Sequence, residues 1–229
     1  MASEKVRQQM CFMAAIASLG MGALITFHLI AMRVMGITIL VNNQEFEGFL
    51  TGVAQHKHLY AASGIVEALS VACLIPMALA FVAVFEEDRA YAILAAAFLL
   101  VGGVLLVDAY AHYGNMVGLA EDLQLGRAPT DLVVKLADTQ GDLFEIIQYG
   151  GLCGAGAGLV IVSILMARCE YFSRPVSWIT FATGMVAFTY TVVPAAFDFA
   201  QPAWAFVLGG YWLLKEARVT SPEEEPEIA

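Results

Sequence analysis

Long apolar runs constrain this chain more than any other feature of its sequence. A helix needs roughly 20 apolar residues to cross the hydrocarbon core of a bilayer. Candidate runs of that kind recur along most of the chain, at about 11–32, 60–85, 90–113, 143–167, 176–196 and 199–214. They predict an all-α polytopic membrane protein, a bundle of six transmembrane helices.

The composition agrees with this prediction. Only 14% of the 229 residues are charged, against about 25% in a typical soluble domain, and the mean hydropathy is +0.74. The net charge of −10 and the absence of a basic stripe argue against a nucleic-acid partner, which leaves the lipid bilayer as the predicted environment. We predict one transmembrane helical domain, 1–214, followed by an acidic disordered tail, 215–229.

The distribution of Lys and Arg predicts the orientation. Under the six-helix topology, the side that holds the termini carries seven basic residues, Lys5, Arg7, Arg89, Arg168, Arg174, Lys215 and Arg218. The opposite side carries four, Arg33, Lys57, Arg127 and Lys135. The positive-inside rule then places both termini in the cytoplasm. The two long connections, 33–59 and 114–142, face outward, and residues 131–138 of the second are predicted to form a short helix on the membrane surface.

Glycines in the fourth run indicate close helix packing. Gly150, Gly154 and Gly158 recur every fourth residue, and such a stripe lets another helix approach closely in lipid. The partner helix could belong to this chain or to a second protein, including a second copy. A partner helix from a second protein would fit an accessory or interaction subunit of a larger membrane complex. The modest size of the chain and the lack of a strong catalytic motif support the same role.

Polar groups within or beside the apolar runs are the candidate functional residues. All four histidines (His28, His56, His58 and His112) lie toward the predicted outer side, with the carboxylates of Glu67 and Asp108. Ionisable groups inside a membrane are costly and commonly mark sites. Asp108 and His112 stand four residues apart, so both leave the same helix face.

This set suggests a metal or haem site. Imidazole and carboxylate suit copper or zinc, with Asp108, His112, Glu67, His56 and His58 as candidate ligands. His28 and His112 could instead hold a haem from two helices. We predict that Asp108 and His112 face the bundle interior and meet Glu67, with His28 as an optional further member, near the outer ends of the first three spans. An Asp–His bond that only braces the helix end is the alternative, as is a solvated position for His56 and His58.

The same residues keep three functions open. Beside the accessory subunit stand a metal- or haem-containing redox protein or enzyme with an outward-facing site, and a proton-coupled transporter or sensor. No lysine lies deep in a span, and no Walker loop, G-x-S-x-G or H-E-x-x-H motif occurs. The sequence therefore assigns no reaction.

Two stretches show a resemblance to known proteins. Residues 58–106 (HLYAASGIVEALS to LLVGGVLL) and 171–188 (YFSRPVSWITFATGMVAF) resemble a widespread bacterial family of six-helix integral membrane proteins of unknown function. The resemblance implies a six-helix fold and residence in the bacterial inner membrane, and it implies no activity.

Overall fold

The computed structural model describes residues 4–36, 46–190 and 194–220, and these form eight α-helices. In chain order the helices are α1 (Glu4–Met35), α2 (Phe46–Gln55), α3 (Lys57–Ala72), α4 (Leu74–Val84), α5 (Arg89–Gln124), α6 (Thr130–Arg168), α7 (Arg174–Phe188) and α8 (Pro194–Thr220). Among these described residues, four segments are long and apolar enough to cross a membrane: α1, α3 with α4, α5, and α6. The protein is therefore an all-helical, membrane-type protein.

The segment 57–84 is one apolar span with a break at Cys73. Pro76 explains the break, because its ring has no N–H to donate to the carbonyl of Ala72 and clashes with that group. Glu67 lies in α3, ten residues after the helix begins.

The α5–α6 hairpin is the longest element pair. At 1.5 Å per residue, α5 and α6 are about 54 and 58 Å long, against a hydrocarbon core of about 30 Å. Gly126, with φ +60°, ends α5 at the turn. The surface helix predicted at 131–138 is wrong, because these residues are the first turns of the continuous α6.

Glycines let α5 and α6 touch backbone to backbone. A Cβ on Gly102 would lie 2.4 Å from the Ala155 nitrogen, and one on Gly158 would lie 2.9 Å from the Ala95 carbonyl oxygen. Gly154 is as close, with the Gly102 Cα 3.0 Å away, whereas Gly150 is exposed and has only Leu105 Cδ1 at 3.8 Å. Gly154 and Gly158 of the predicted stripe thus pack within the chain.

The other helices pack around this hairpin. α7 approaches α6 at Gly184 and Gly156, and α8 lies against α1, where the Ser18 hydroxyl donates to the Ala205 carbonyl at 2.7 Å. α1 and α5 both contact α3, so α3 lies between them. α8 continues to Thr220, past residue 215, where the sequence predicts a disordered tail. Residues 221–229 lie outside the described part of the chain.

Candidate functional site

A polar cluster forms where α1, α3 and α5 meet. On α3, the residues Tyr60, Gly64 and Glu67 recur at helical spacing and share a face. Gly64 admits the next helix, since a Cβ there would lie 2.7 Å from Tyr113 Cβ on α5. Because Gly64 has no side chain, Tyr113 can come close enough to α3 to reach Glu67.

Glu67 is the centre of this cluster. Its carboxylate Oε2 lies 3.3 Å from His28 Nε2 and 3.5 Å from the Tyr113 hydroxyl, which donates to it. The Glu67 side chain is 16% exposed and that of His28 only 3%. A carboxylate and an imidazole at this distance can share one proton, and the pair is ionic only when His28 is protonated.

Aromatic rings surround the Glu67–His28 pair. The ring of Tyr113 stacks on Tyr60, with centroids 4.7 Å apart, and meets His28 edge-on at 6.1 Å. Phe144 of α6 packs against the same tyrosine at 6.0 Å. These rings shield the pair from solvent and lower the local dielectric, which strengthens the interaction between Glu67 and His28.

The cluster continues toward α6 and α8 through further polar side chains. The Tyr110 hydroxyl interacts with Glu67 and with Gln148, and Gln148 also interacts with the Tyr190 hydroxyl. Asp198 of α8 is the other charged group that acts on Glu67. We call His28, Glu67, Tyr110, Tyr113, Gln148, Tyr190 and Asp198 the outer cluster, after the side that the sequence predicts to face outward.

One buried nitrogen in this cluster is unsatisfied. His28 Nδ1 has no hydrogen-bond partner within the described ranges, while the Ser63 backbone is the other polar group that interacts with the ring. Buried polar atoms are nearly always paired, so an orphan deserves an explanation. With Nε2 at Glu67 and the Ser63 backbone beside the ring, His28 can be protonated at both nitrogens while it keeps its contact with Glu67.

The structure separates the other predicted site residues from Glu67. Asp108 is exposed, and His112 is half-buried with its Nδ1 2.7 Å from Gln140 Oε1. The prediction that Asp108 and His112 face the interior and meet Glu67 is therefore corrected. The inward face of α5 is set by Gly102, Leu106, Tyr110 and Tyr113, and Asp108 leaves the helix on the side opposite Leu106.

The predicted metal shell is not assembled either. His56 and His58 are exposed beside the start of α3. Within residues 4–36, 46–190 and 194–220, no three His, Cys, Asp or Glu side chains lie close enough together to hold a metal ion. The five candidate ligands named from the sequence thus do not form one site in the described residues, and binding of copper, zinc or haem stays a prediction.

Sequence reasoning missed the tyrosines. Tyrosines are ordinary residues in apolar helices. The spacing of Tyr60, Tyr110 and Tyr113 alone does not show that they surround a carboxylate. The available signal was Gly64, three residues before Glu67 on the same face, because a small residue beside a buried acid marks a place where another helix comes close.

A comparison with protein families gives one match. The sequence model of a family described as a domain of unknown function, DUF4386, matches residues 9–215. The comparisons with curated proteins and with solved structures give no match. The match includes every helix from α2 to α7 and most of α1 and α8, and so the whole outer cluster. The chain therefore belongs to the DUF4386 family, a family of unknown function.

Proposed function

We propose that the protein is a proton-coupled membrane protein, a transporter or a sensor, in which Glu67 and His28 take up and release the proton. The observation that carries the proposal is the 3.3 Å contact between these two groups inside an apolar helix bundle. Glu67 has no lysine or arginine partner among the described residues, so its ionised form is costly and its charge responds to proton supply.

The protonation of Glu67 would alter the packing around it. An ionised carboxylate accepts hydrogen bonds from Tyr113 and from His28, whereas a protonated one donates a hydrogen bond itself. Because Glu67 lies on α3 and its partners lie on α1 and α5, a change of proton changes contacts between three helices. That is the coupling which a proton-driven transporter or a pH sensor needs.

Two packing features support a topology with six crossings and both termini on the same side, and the distribution of Lys and Arg supports the cytoplasmic side. α7 runs back along α6 from the turn at 169–173, with Gly184 against Gly156, and α8 runs antiparallel to α1. The two helices thus form a further out-and-back pair, although α7 has only 15 residues. We place the protein in a bacterial inner membrane on the resemblance described above. Labelling of single cysteines introduced at 86 and at 125 would test the six-crossing topology, since that topology puts the two positions on opposite sides of the membrane.

The accessory-subunit and redox hypotheses stay predictions. The accessory hypothesis rested in part on the glycine stripe, and Gly154 and Gly158 are engaged by α5 of the same chain. The redox hypothesis rested on a shared set of ligands, and His28 and His112 have different partners, Glu67 and Gln140. The outer cluster therefore favours proton coupling over both.

The test is a measurement of proton uptake on the purified protein. After a pH step, infrared difference spectra should show a carboxyl band that titrates in the wild type and disappears in Glu67→Gln. Glu47→Gln, which makes the same chemical change at an exposed position on α2, is the matched control and should keep the band. If the band is unchanged in Glu67→Gln, Glu67 does not carry the proton.

A further inference from the structure

The first part of α6 extends beyond the lipid. Residues 146–167 contain no charged side chain and Arg168 follows them at once, so this stretch fits the hydrocarbon core. Residues 130–145 come before it and add about 24 Å of helix on the side predicted to face outward. We call 130–145 the outer segment of α6. It carries five charged residues: Asp131, Lys135, Asp138, Asp142 and Glu145. Apolar side chains exposed on the outer segment therefore face water rather than lipid tails.

Large apolar side chains are nevertheless exposed there. Leu132, Leu136 and Leu143 are 48%, 46% and 43% exposed, and Ile146, where the span begins, is 71% exposed. They stand four, seven and three residues apart, so all four leave one face of α6. None of the helices in the described part of the chain covers this face. Apolar groups that share an exposed face in water are typical of a surface that binds a partner.

This face has the spacing of a coiled-coil seam. Thr139 is exposed between Leu136 and Leu143, which completes an alternation of four-residue and three-residue steps. The same steps continue into the span through three small residues, which let helices come close in lipid. The whole set, which we call the α6 seam, is Leu132, Leu136, Thr139, Leu143, Ile146, Gly150, Cys153 and Ala157. Each of these residues is exposed or half-buried, and none is charged.

The charge pattern favours a second copy of the chain as the partner. Two copies in one membrane, related by a two-fold axis along the membrane normal, have parallel α6 helices with equal residues at equal depth. A seam without charges can then meet its own copy. Beside the seam of a parallel pair, Lys135 of one copy lies opposite Gln140 of the other, and Asp142 lies opposite Ile147. No like charges therefore meet across the pair.

The available area is enough for such a pair. The exposed parts of the α6 seam, with the 39% exposed Tyr149 beside it, present on the order of 500 Å² per copy, so that a pair would bury about 1,000 Å², the size at which specific interfaces begin. Insertion in one bilayer already fixes the depth and direction of both copies. Less rotational and translational freedom is then lost on association than in solution.

We infer that the protein forms a parallel homodimer through the α6 seam, with leucines in contact outside the lipid and small residues in contact within it. The inference does not depend on the proposed proton role of Glu67. Gln148, the α6 member of the outer cluster, is buried on another face of the helix, toward the bundle.

Disulfide crosslinking in membrane vesicles tests the position of the contact. Thr139→Cys is made in a Cys153→Ser background, because Cys153 is itself in the α6 seam, and copper phenanthroline is the oxidant. We expect most of the protein to form a disulfide-linked dimer, since equal seam positions of a parallel pair are within reach of a disulfide. Glu145→Cys in the same background is the matched control. It is exposed but lies about 120° around α6 from Thr139, so it should stay monomeric.

A charge in the α6 seam tests its apolar character. Leu136→Glu would place two carboxylates opposite each other in the pair, so we expect the dimer dissociation constant to rise about thirtyfold or more. Energy transfer between donor- and acceptor-labelled copies in liposomes, at several protein-to-lipid ratios, measures that constant. Leu125→Glu makes the same change at a 59% exposed leucine outside the seam and should dimerise as the wild type does. Both leucines are exposed in the single chain, so both variants should fold.

Three results would overturn the inference. Equal crosslinking of Thr139→Cys and Glu145→Cys would indicate random collisions, and wild-type energy transfer no greater than that of random mixing would indicate monomers. Crosslinking of Thr139→Cys to a protein of another mass, in place of a dimer, would show that a different subunit covers the α6 seam. Glu67→Gln should dimerise like the wild type, so failure of the proton role leaves the dimer in place.

Discussion

The bundle buries a cluster of aromatic rings at each end. In one cluster the rings pack on one another, and in the other they surround a carboxylate. Around Phe172, in the turn between α6 and α7, rings pack on other rings: Phe172 meets Phe85 at 5.7 Å, Tyr211 at 5.8 Å and Trp212 at 6.2 Å. Around Glu67, at the other end, Tyr60 and Tyr113 enclose a carboxylate. We call the first group, with Tyr171, the inner cluster.

Hydrogen bonds in the inner cluster hold the end of α8 against the turn between α6 and α7. The Tyr211 hydroxyl donates to the Tyr171 carbonyl at 2.6 Å, and the Tyr171 hydroxyl donates to Glu216 at 2.8 Å. Lys215 lies over the Tyr171 ring, 5.3 Å from its centroid. These contacts bind the last turns of α8 to the α6–α7 turn, which explains why the helix continues through residues predicted to be a disordered tail.

Of the two aromatic clusters, the one around Glu67 is the candidate for a function. Rings that bury one another contribute free energy of folding, through the hydrophobic effect and ring packing. Rings that enclose Glu67 and, in the described part of the chain, leave His28 Nδ1 without a hydrogen bond keep a polar pair poorly solvated, which costs free energy unless the pair has a use. The predictions below separate these two roles.

The largest expected effect is on stability, from Phe172→Ala. This ring is buried among four other aromatic side chains, so its removal should lower the free energy of unfolding by about 3–5 kcal/mol. Proton uptake measured by infrared spectroscopy should stay intact wherever the variant is folded. Loss of the Glu67 band in a folded Phe172→Ala protein would show that the two clusters are not independent.

The second-largest effect is expected on the stability of the α5–α6 hairpin, which positions Tyr113. Gly102→Ala places a Cβ 2.4 Å from a backbone nitrogen, so α5 and α6 must separate, at a cost of about 1–3 kcal/mol. Thermal unfolding in detergent measures the loss. Gly150→Ala is the matched control on the facing helix and should be nearly neutral, because its nearest neighbour is a side-chain atom at 3.8 Å. Equal effects of the two variants would contradict the packing described.

A smaller effect is expected at Tyr171, which lies between α6 and α7. Burial raises the pKa of its hydroxyl above the ordinary value of 10.0. A group with a raised folded-state pKa contributes its stability below the unfolded pKa and loses it as the pH rises further. Stability should therefore fall above pH 10, and Tyr171→Phe should cost about 1 kcal/mol at neutral pH and remove part of that fall. Denaturation curves at pH 7 and above pH 10 would check this, and identical slopes in both proteins would oppose it.

The smallest effect is expected at Asp108. Because this carboxylate is exposed and lies on another face from Tyr113, Asp108→Asn should leave both the Glu67 infrared band and the unfolding curve unchanged. The same measurements as for Glu67→Gln apply. A shift of the band in Asp108→Asn would restore the prediction that Asp108 belongs to the site.

Part of the candidate site could be predicted from the sequence. His28 and Glu67 were recognised because an ionisable residue in an apolar run is rare and costly whatever the fold. Asp108 and His112 were selected on the same ground, together with their four-residue spacing. That spacing shows that two side chains share a face, but it does not show which face is inside.

The membrane environment and the helices follow from the amino-acid sequence alone. Apolar runs of about 20 residues require helices in lipid, because a helix satisfies its backbone hydrogen bonds internally. Which residues of each helix face the interior depends on how the helices pack against one another. Turning α5 by about 100° about its axis would point His112 instead of Tyr113 toward the interior. Because both sides of this helix carry apolar residues, the sequence pattern does not select between the two orientations. Gly64 and Gly102 decide it, because Gly64 leaves room on α3 for the Tyr113 side chain and Gly102 lets α5 pack directly on the α6 backbone.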